Sequence, residues 1–442
     1  MSESLTRGRS RSSAVVVAVC FATIVFDGYD LVVYGTTVPS ILAYQEWAVT
    51  PAQAGAIGSY ALVGMLIGAL VSGAVTDQIG HRKVLLACVT WFSVVMALTW
   101  LAPSPEVFGL LRFVAGLGLG GVVPTAIALT VEYSAPERRQ LNNAVMYSGY
   151  SVGGIGAALL GLALLPEQDF RLLYLIGALP LVVVLPVAWK YLPESVAFLI
   201  AKGRTDEARA QADRFGLDYS AVAARVLKQA ERVGGWQGKA LFSRAYLRAT
   251  LLFAAASFCG LLLVYGLNTW LPQIMRKAGY DLGSSLAFLL VLNAGAVIGA
   301  IGASRIADRI GVRPVAITAF SCAAVSVILL SFSQPTAVLF GLVALAGLGS
   351  VGTQILVNGY VATYYPDNLR ATALGWSLGV GRTGAIAGPL LGGLVAGSAL
   401  GYQWNFYLFA LVAAIGVLFI SAVPAVRNSG SRVATPADVK ES

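Results

Sequence analysis

Histidine is nearly absent from this chain. The only one in 442 residues is His81. The four cysteines, Cys20, Cys88, Cys259 and Cys322, are far apart and each sits in an apolar run. They read as small packing residues rather than metal ligands or disulfide partners. No nucleophile–base pair, metal-ligand cluster or phosphate-binding Gly-Lys-Ser/Thr loop is present. An enzyme, a metal protein and an ATP-driven pump are therefore not expected, and no cofactor is called for. Charge is scarce too, at 12% of residues, where a soluble domain carries about a quarter.

What replaces charge is apolar length. The chain is 57% hydrophobic with a mean hydropathy of +0.76. Its apolar runs are continuous rather than alternating, which excludes a β-barrel and predicts an all-α membrane protein. Dividing the chain at those runs gives twelve spans, at about 14–43, 53–75, 84–102, 107–133, 141–164, 171–192, 247–274, 283–303, 315–333, 336–363, 371–395 and 402–424. Arg7, Arg9 and Arg11 ahead of the first run mimic a secretion signal. The length of that run and its two aspartates predict a retained helix instead.

The net charge of +9 is a matter of topology, not of nucleic-acid binding. Arg171, Arg276 and Lys277 fall on one side of the spans, Arg112 and Arg382 fall within them, and the remaining Lys and Arg fall on the other side. The positive-inside rule then predicts a multi-pass membrane protein with both termini cytoplasmic. The expected organisation is a tail (1–13), a six-helix half (14–192), a cytoplasmic segment with amphipathic helices (193–246), a second six-helix half (247–424) and a tail (425–442). A monomer is expected.

The two halves repeat. GAVTDQIGHRKV at 73–84 matches SRIADRIGVRPV at 304–315, a constant offset of 308 − 77 = 231. Gly116-Leu117-Gly118 matches Gly347-Leu348-Gly349 at the same offset. A half repeated in one orientation predicts a parallel pseudo-two-fold, with the ligand site between the halves near the midplane.

Asp27 and Asp30 lie near the centre of the first span, where a carboxylate costs several kcal/mol, about 2.5–3.5 on insertion scales. Their i, i+3 spacing puts them on one helix face. They are the candidate proton-coupling residues; the alternative is a structural pair satisfied by the fourth or the eleventh span. Arg382 in the eleventh span, flanked by Gly379, Gly381 and Gly384, is the candidate anchor for a substrate anion, because a planar guanidinium pairs bidentately with a carboxylate. It could instead only pair with Asp27 or Asp30. Arg112 reads equally as a relay or a structural charge. Asp77, Arg82 and Glu132 are expected to form a cytoplasmic gate network, with Asp308, Arg309 and Arg313 as a weaker twin. Tyr34, Asn268, Trp270, Gln354, Asn358 and Trp376 are candidates for contacts to a ring or its substituents.

Gly73, Asp77, Gly80, Arg82 and Lys83 together resemble the signature loop of the major facilitator superfamily, and Arg112, Gly116, Gly118 and Gly120 resemble a second motif of that family. Gln78 and His81 replace its usual arginines, which predicts a weaker or pH-sensitive latch. Within the superfamily, DGYDLVVYG at 27–35 is similar to the aromatic acid:proton symporter family, and the whole string is most similar to its benzoate transporters. The resemblance implies proton-coupled uptake of a small aromatic carboxylate: benzoate, 4-hydroxybenzoate, protocatechuate or gentisate. The expected partners are that acid, protons and the bilayer. The alternatives are another organic acid, export, or a membrane sensor of aromatic acids.

Overall fold

The computed structural model describes residues 2–232 and 238–424, which contain twelve helices long and apolar enough to cross a membrane. These are α1 (Ala14–Ala43), α2 (Pro51–Ile79), α3 (His81–Trp100), α4 (Pro105–Glu132), α5 (Leu141–Leu164), α6 (Arg171–Tyr191), α7 (Leu247–Lys277), α8 (Leu282–Ile310), α9 (Val312–Leu329), α10 (Thr336–Tyr364), α11 (Thr372–Gly397) and α12 (Gln403–Ala422). Helices are what such a sequence must form, because lipid offers backbone N–H and C=O groups no partner. No strand occurs among the described residues. The backbone helix ending in α1 begins at Ser2, so the segment expected as a tail continues that helix. The expected C-terminal tail lies outside the described residues.

The starts of several helices are written locally. Thr50 closes a capping box with Gln53 before α2, Ser104 caps α4, and the Asp281 carboxylate accepts from the Ser284 amide before α8. Gly80 and Gly311, one in each copy of the repeated loop, have φ of 100° and 91°, which favours glycine. We call the side of the molecule that carries these two turns the loop face, and the opposite side the far face.

The 231-residue offset holds in three dimensions. A Cβ on Gly64 would stand 2.2 Å from the Phe113 carbonyl oxygen, and one on Gly295 would stand 2.3 Å from that of Ala344. Gly116 meets the Ala61 carbonyl at 2.1 Å, and Gly347 meets that of Leu292 at 2.0 Å. Both copies thus seat α2 on α4, and α8 on α10, through bare backbone. The Arg82 guanidinium donates to the Trp189 carbonyl, and Arg313 donates to the Ser421 carbonyl at 2.6 Å. A π-helical turn at Leu348–Gly352 interrupts α10 but has no counterpart in α4.

The halves touch toward the far face. Gly35 packs on the Asn268 backbone, Gly55 and Gly393 pack on each other's chains, and Ser59 donates to the Ile386 carbonyl at 2.7 Å. Toward the loop face, positions Gly375 and Gly379 of α11 face open space.

The central segment is docked rather than a free linker. It contains helices at Val196–Ala201, Thr205–Phe215, Tyr219–Arg232 and Gly238–Leu241. Glu132 at the end of α4 accepts from the Ser195 hydroxyl (2.6 Å) and the Ala197 amide (2.9 Å). The Phe215 ring lies 4.8 Å from that of Tyr133, and Ala208 and Ala212 are fully buried.

Candidate functional site

The DGYD stretch of α1 assigns each of its four residues a different neighbour. Gly28 is where α5 crosses: a Cβ there would stand 2.0 Å from the Tyr150 carbonyl oxygen. Gly153 makes the reciprocal approach to the Val25 carbonyl, at 1.8 Å. Tyr29 turns away and donates to the Leu173 carbonyl in α6 at 2.7 Å. The two aspartates remain, and they part company.

Asp30 belongs to the first half. It forms an ion pair with Arg112 of α4, both side chains nearly inaccessible. The Arg112 guanidinium also lies 5.5 Å from the Tyr34 ring and 5.9 Å from the Tyr174 ring. Tyr34 in turn donates to the Ala54 carbonyl, and the Tyr174 hydroxyl bonds Thr37 at 2.8 Å. Buried charge is tolerable here because each partner holds the other.

Asp27 has no such partner. It is 1% exposed, and neither carboxyl oxygen has a hydrogen bond among the described residues. The groups within electrostatic reach of it are Asp30 on its own helix, Tyr147 and Tyr150 on α5, Tyr265 on α7 and Arg382 on α11. Arg382 is partly exposed and forms no ion pair with either aspartate. Gly379 and Gly375 lie three and seven residues before it, on the same helix face, and both are bare. Tyr147 is 44% exposed. Positions 375 and 379 are thus open on the loop-face side of Arg382. A void of about 10 Å³ bordered by Asp30, Tyr34, Arg112, Tyr265 and Thr269 leaves room for a single water.

The three tyrosines escaped the sequence reading. The signal available was the polar stripe Tyr147, Ser148, Tyr150 and Ser151 within an apolar span. Conversely, several expected ring contacts are engaged elsewhere. Trp270 is fully buried, and its Nε1 donates to the Pro389 carbonyl at 2.8 Å, fastening α7 to α11. Trp376 stands edge-on to Phe242 of the central segment at 5.1 Å, away from Arg382. Asn268 donates to the Val264 carbonyl and accepts from Asn293 at 3.0 Å, a contact between α7 and α8. Tyr34 packs against Arg112 and Gly58. Gln354 does donate to Asn358, at 3.1 Å; its own oxygen is buried without a partner and faces Gly260.

The expected gate network is not assembled. Asp77 is exposed and forms no ion pair among the described residues; the same holds for Asp308 and Arg309. The Arg82 amide donates to Glu194 at 3.0 Å, while Glu132 holds Ser195 and Ala197. The reason is proximity. The segment after α6 supplies partners to both residues, and the loop face is the open one.

Two inverted charges at mid-membrane between parallel-repeated six-helix halves are the build of a secondary transporter, and sequence comparison agrees. The profile of the Major Facilitator Superfamily matches residues 20–304 and 290–441, and the chain belongs to that family. It is a transporter, not an enzyme.

Among its relatives is the benzoate transport protein of Acinetobacter baylyi, 37% identical over 413 residues, 92% of this chain and 88% of that one. The gentisate transporter of Corynebacterium glutamicum is 40% identical over 417 residues, 93% of this chain and 87% of that one. The fold is similar to that of the xylose transporter XylE from E. coli in an inward open conformation, with a TM-score of 0.75 at 14% identity, covering 94% of this chain and 98% of that one.

Proposed function

We propose that the protein imports a small aromatic carboxylate, benzoate or a close analogue, across the inner membrane together with protons, with the loop face toward the cytoplasm. The observation that carries this reading is Asp27: a buried carboxyl without a hydrogen-bond partner among the described residues, set beside a partly exposed Arg382. An unpaired carboxylate buried in that position costs several kcal/mol, so the empty, loop-face-open state suits the neutral acid. The guanidinium has no ion-pair partner among the described residues and is a fitting anchor for a substrate carboxylate. The relatives named for benzoate and gentisate transport support the aromatic class. The excess of Lys and Arg on the loop face supports the orientation.

In the cycle that follows, Asp27 takes a proton from the outer side and Arg382 takes the substrate anion. The halves then rock, and both ligands leave along the Gly375–Gly379 stripe. One proton per monoanion is electroneutral and driven by the pH gradient; a second would add the membrane potential, worth ~2.3 kcal/mol per charge per 100 mV. Asp30 is held by Arg112 in this state, which leaves Asp27 as the residue that cycles. A monomer contains the complete route.

A hydroxylated ring is the second reading. Tyr147, Tyr150 and Tyr265 bring three hydroxyls to the site, which suits a substrate with ring hydroxyls of its own, as the gentisate transporter's name describes. The test is uptake of labelled benzoate into proteoliposomes under an imposed pH gradient, with hydroxylated benzoates as competitors. Accumulation that collapses with the gradient supports proton coupling. Equal uptake with and without the gradient would remove it.

A further inference from the structure

The polar atoms left without partners around Asp27 are not scattered. Both Asp27 oxygens and the Tyr150 hydroxyl are buried and unbonded, and all three belong to the first half. The Tyr150 hydroxyl lies beside that of Tyr265, which belongs to the second half. Arg382, also of the second half, acts electrostatically on both tyrosines and on Asp27. A buried hydroxyl without a partner is costly. Polar groups from two helix bundles, gathered around a carboxyl that none of the described residues bonds, have the form of a site that its ligand completes.

We propose that Tyr150 and Tyr265 are carboxylate-binding residues, one from each half, whose hydroxyls donate to the substrate carboxylate that Arg382 holds. The inference rests on the reading that the substrate is an aromatic carboxylate, and deepens it. A carboxylate has about four lone-pair sites. A bidentate guanidinium fills two, and the two tyrosine hydroxyls and a protonated Asp27 compete for the rest. The substrate thereby becomes the piece that joins Asp27 and Tyr150 of one half to Arg382 and Tyr265 of the other. An ionised Asp27 would set a second anion beside the substrate and oppose the same closure, so that only the protonated, loaded carrier draws its halves together.

The positions are fixed by backbone. Gly28 brings α5 against α1, which places Tyr150 beside Asp27. Gly384 brings α11 against the Phe258 carbonyl of α7, where its Cβ would stand at 2.1 Å, and so sets Arg382 alongside Tyr265. Two independent glycine crossings thus fix the helices that carry the four groups.

The test uses the full-length protein in proteoliposomes with labelled benzoate as the probe. Tyr150→Phe and Tyr265→Phe each keep the ring and remove one donor. Each is expected to raise KM for benzoate about tenfold while leaving Vmax within about twofold, as loss of a charge-assisted hydrogen bond predicts. A purely packing role would be spared by Phe and would leave KM unchanged. Wild-type uptake of benzoate with unchanged KM in both variants would overturn this proposal alone. Absence of benzoate uptake by the wild type would overturn the functional reading and this proposal with it.

Discussion

Arg112 and Asp30 form a buried ion pair between α4 and α1, while Asp27, one helical turn earlier, has no hydrogen bond among the described residues. The DGYD motif therefore holds one structural and one free carboxyl. Breaking the pair from one side should be expensive. Arg112→Gln leaves Asp30 charged and buried, and is expected to cost about 3–5 kcal/mol. Thermal unfolding in detergent would show it as a lowered midpoint. An unchanged midpoint would mean that the pair contributes nothing to stability.

Asp27→Asn should separate coupling from movement. Asn fits the space and cannot cycle a proton. Accumulation driven by a pH gradient is expected to disappear, whereas exchange of internal for external benzoate continues. A variant that still concentrates benzoate would show that the proton binds elsewhere.

Arg382→Lys keeps the charge and loses the planar fork. Benzoate binding, measured by titration calorimetry on purified protein, is expected to weaken at least about tenfold, or ~1.4 kcal/mol. Wild-type affinity in this variant would exclude Arg382 as the anion anchor.

Gly28→Ala adds one methyl where the Tyr150 carbonyl oxygen stands 2.0 Å from the new atom. Neither neighbour is a flexible side chain, so the helices must separate. The expected cost is about 1–3 kcal/mol, with reduced benzoate uptake because Tyr150 moves off the site. Full activity and an unshifted midpoint would show that the crossing is looser than its geometry implies.

Gly379→Cys, in a background without the native cysteines, should label quickly with a membrane-impermeant thiol reagent in inside-out vesicles. Gly55→Cys, packed at the far face, should not. Benzoate is expected to slow labelling at 379. The reverse pattern would invert either the orientation or the open side.

Much of this architecture could be read from the sequence. Apolar length marked the spans, and the match of Asp77 with Asp308 disclosed the repeat. The low tolerance of lipid for charge singled out Asp27, Asp30, Arg112 and Arg382. What escaped depends on helix rotation and on conformational state. An aromatic residue in an apolar span can face lipid, a neighbouring helix or the route. Only the register of the Gly28 crossing decides that Tyr150 faces Asp27, whereas Trp270 caps a carbonyl in α11. The gate residues escaped for another reason. Their sequence partners compete with Glu194 and Ser195, which lie far away in the chain, and the competition is decided by which face of the molecule is open.

The 231-residue symmetry has a last consequence. It duplicates the frame but not the chemistry. Val343 occupies the place of Arg112, Ser151 the place of Arg382, and α7 contains no acidic residue to answer Asp27 and Asp30. The acids belong to one copy and the unpaired base to the other, a division of labour imposed on identical scaffolds. Neither bundle is a receptor by itself. The proposed site lies along the seam, and in the proposed cycle it is made and unmade each time the seam opens.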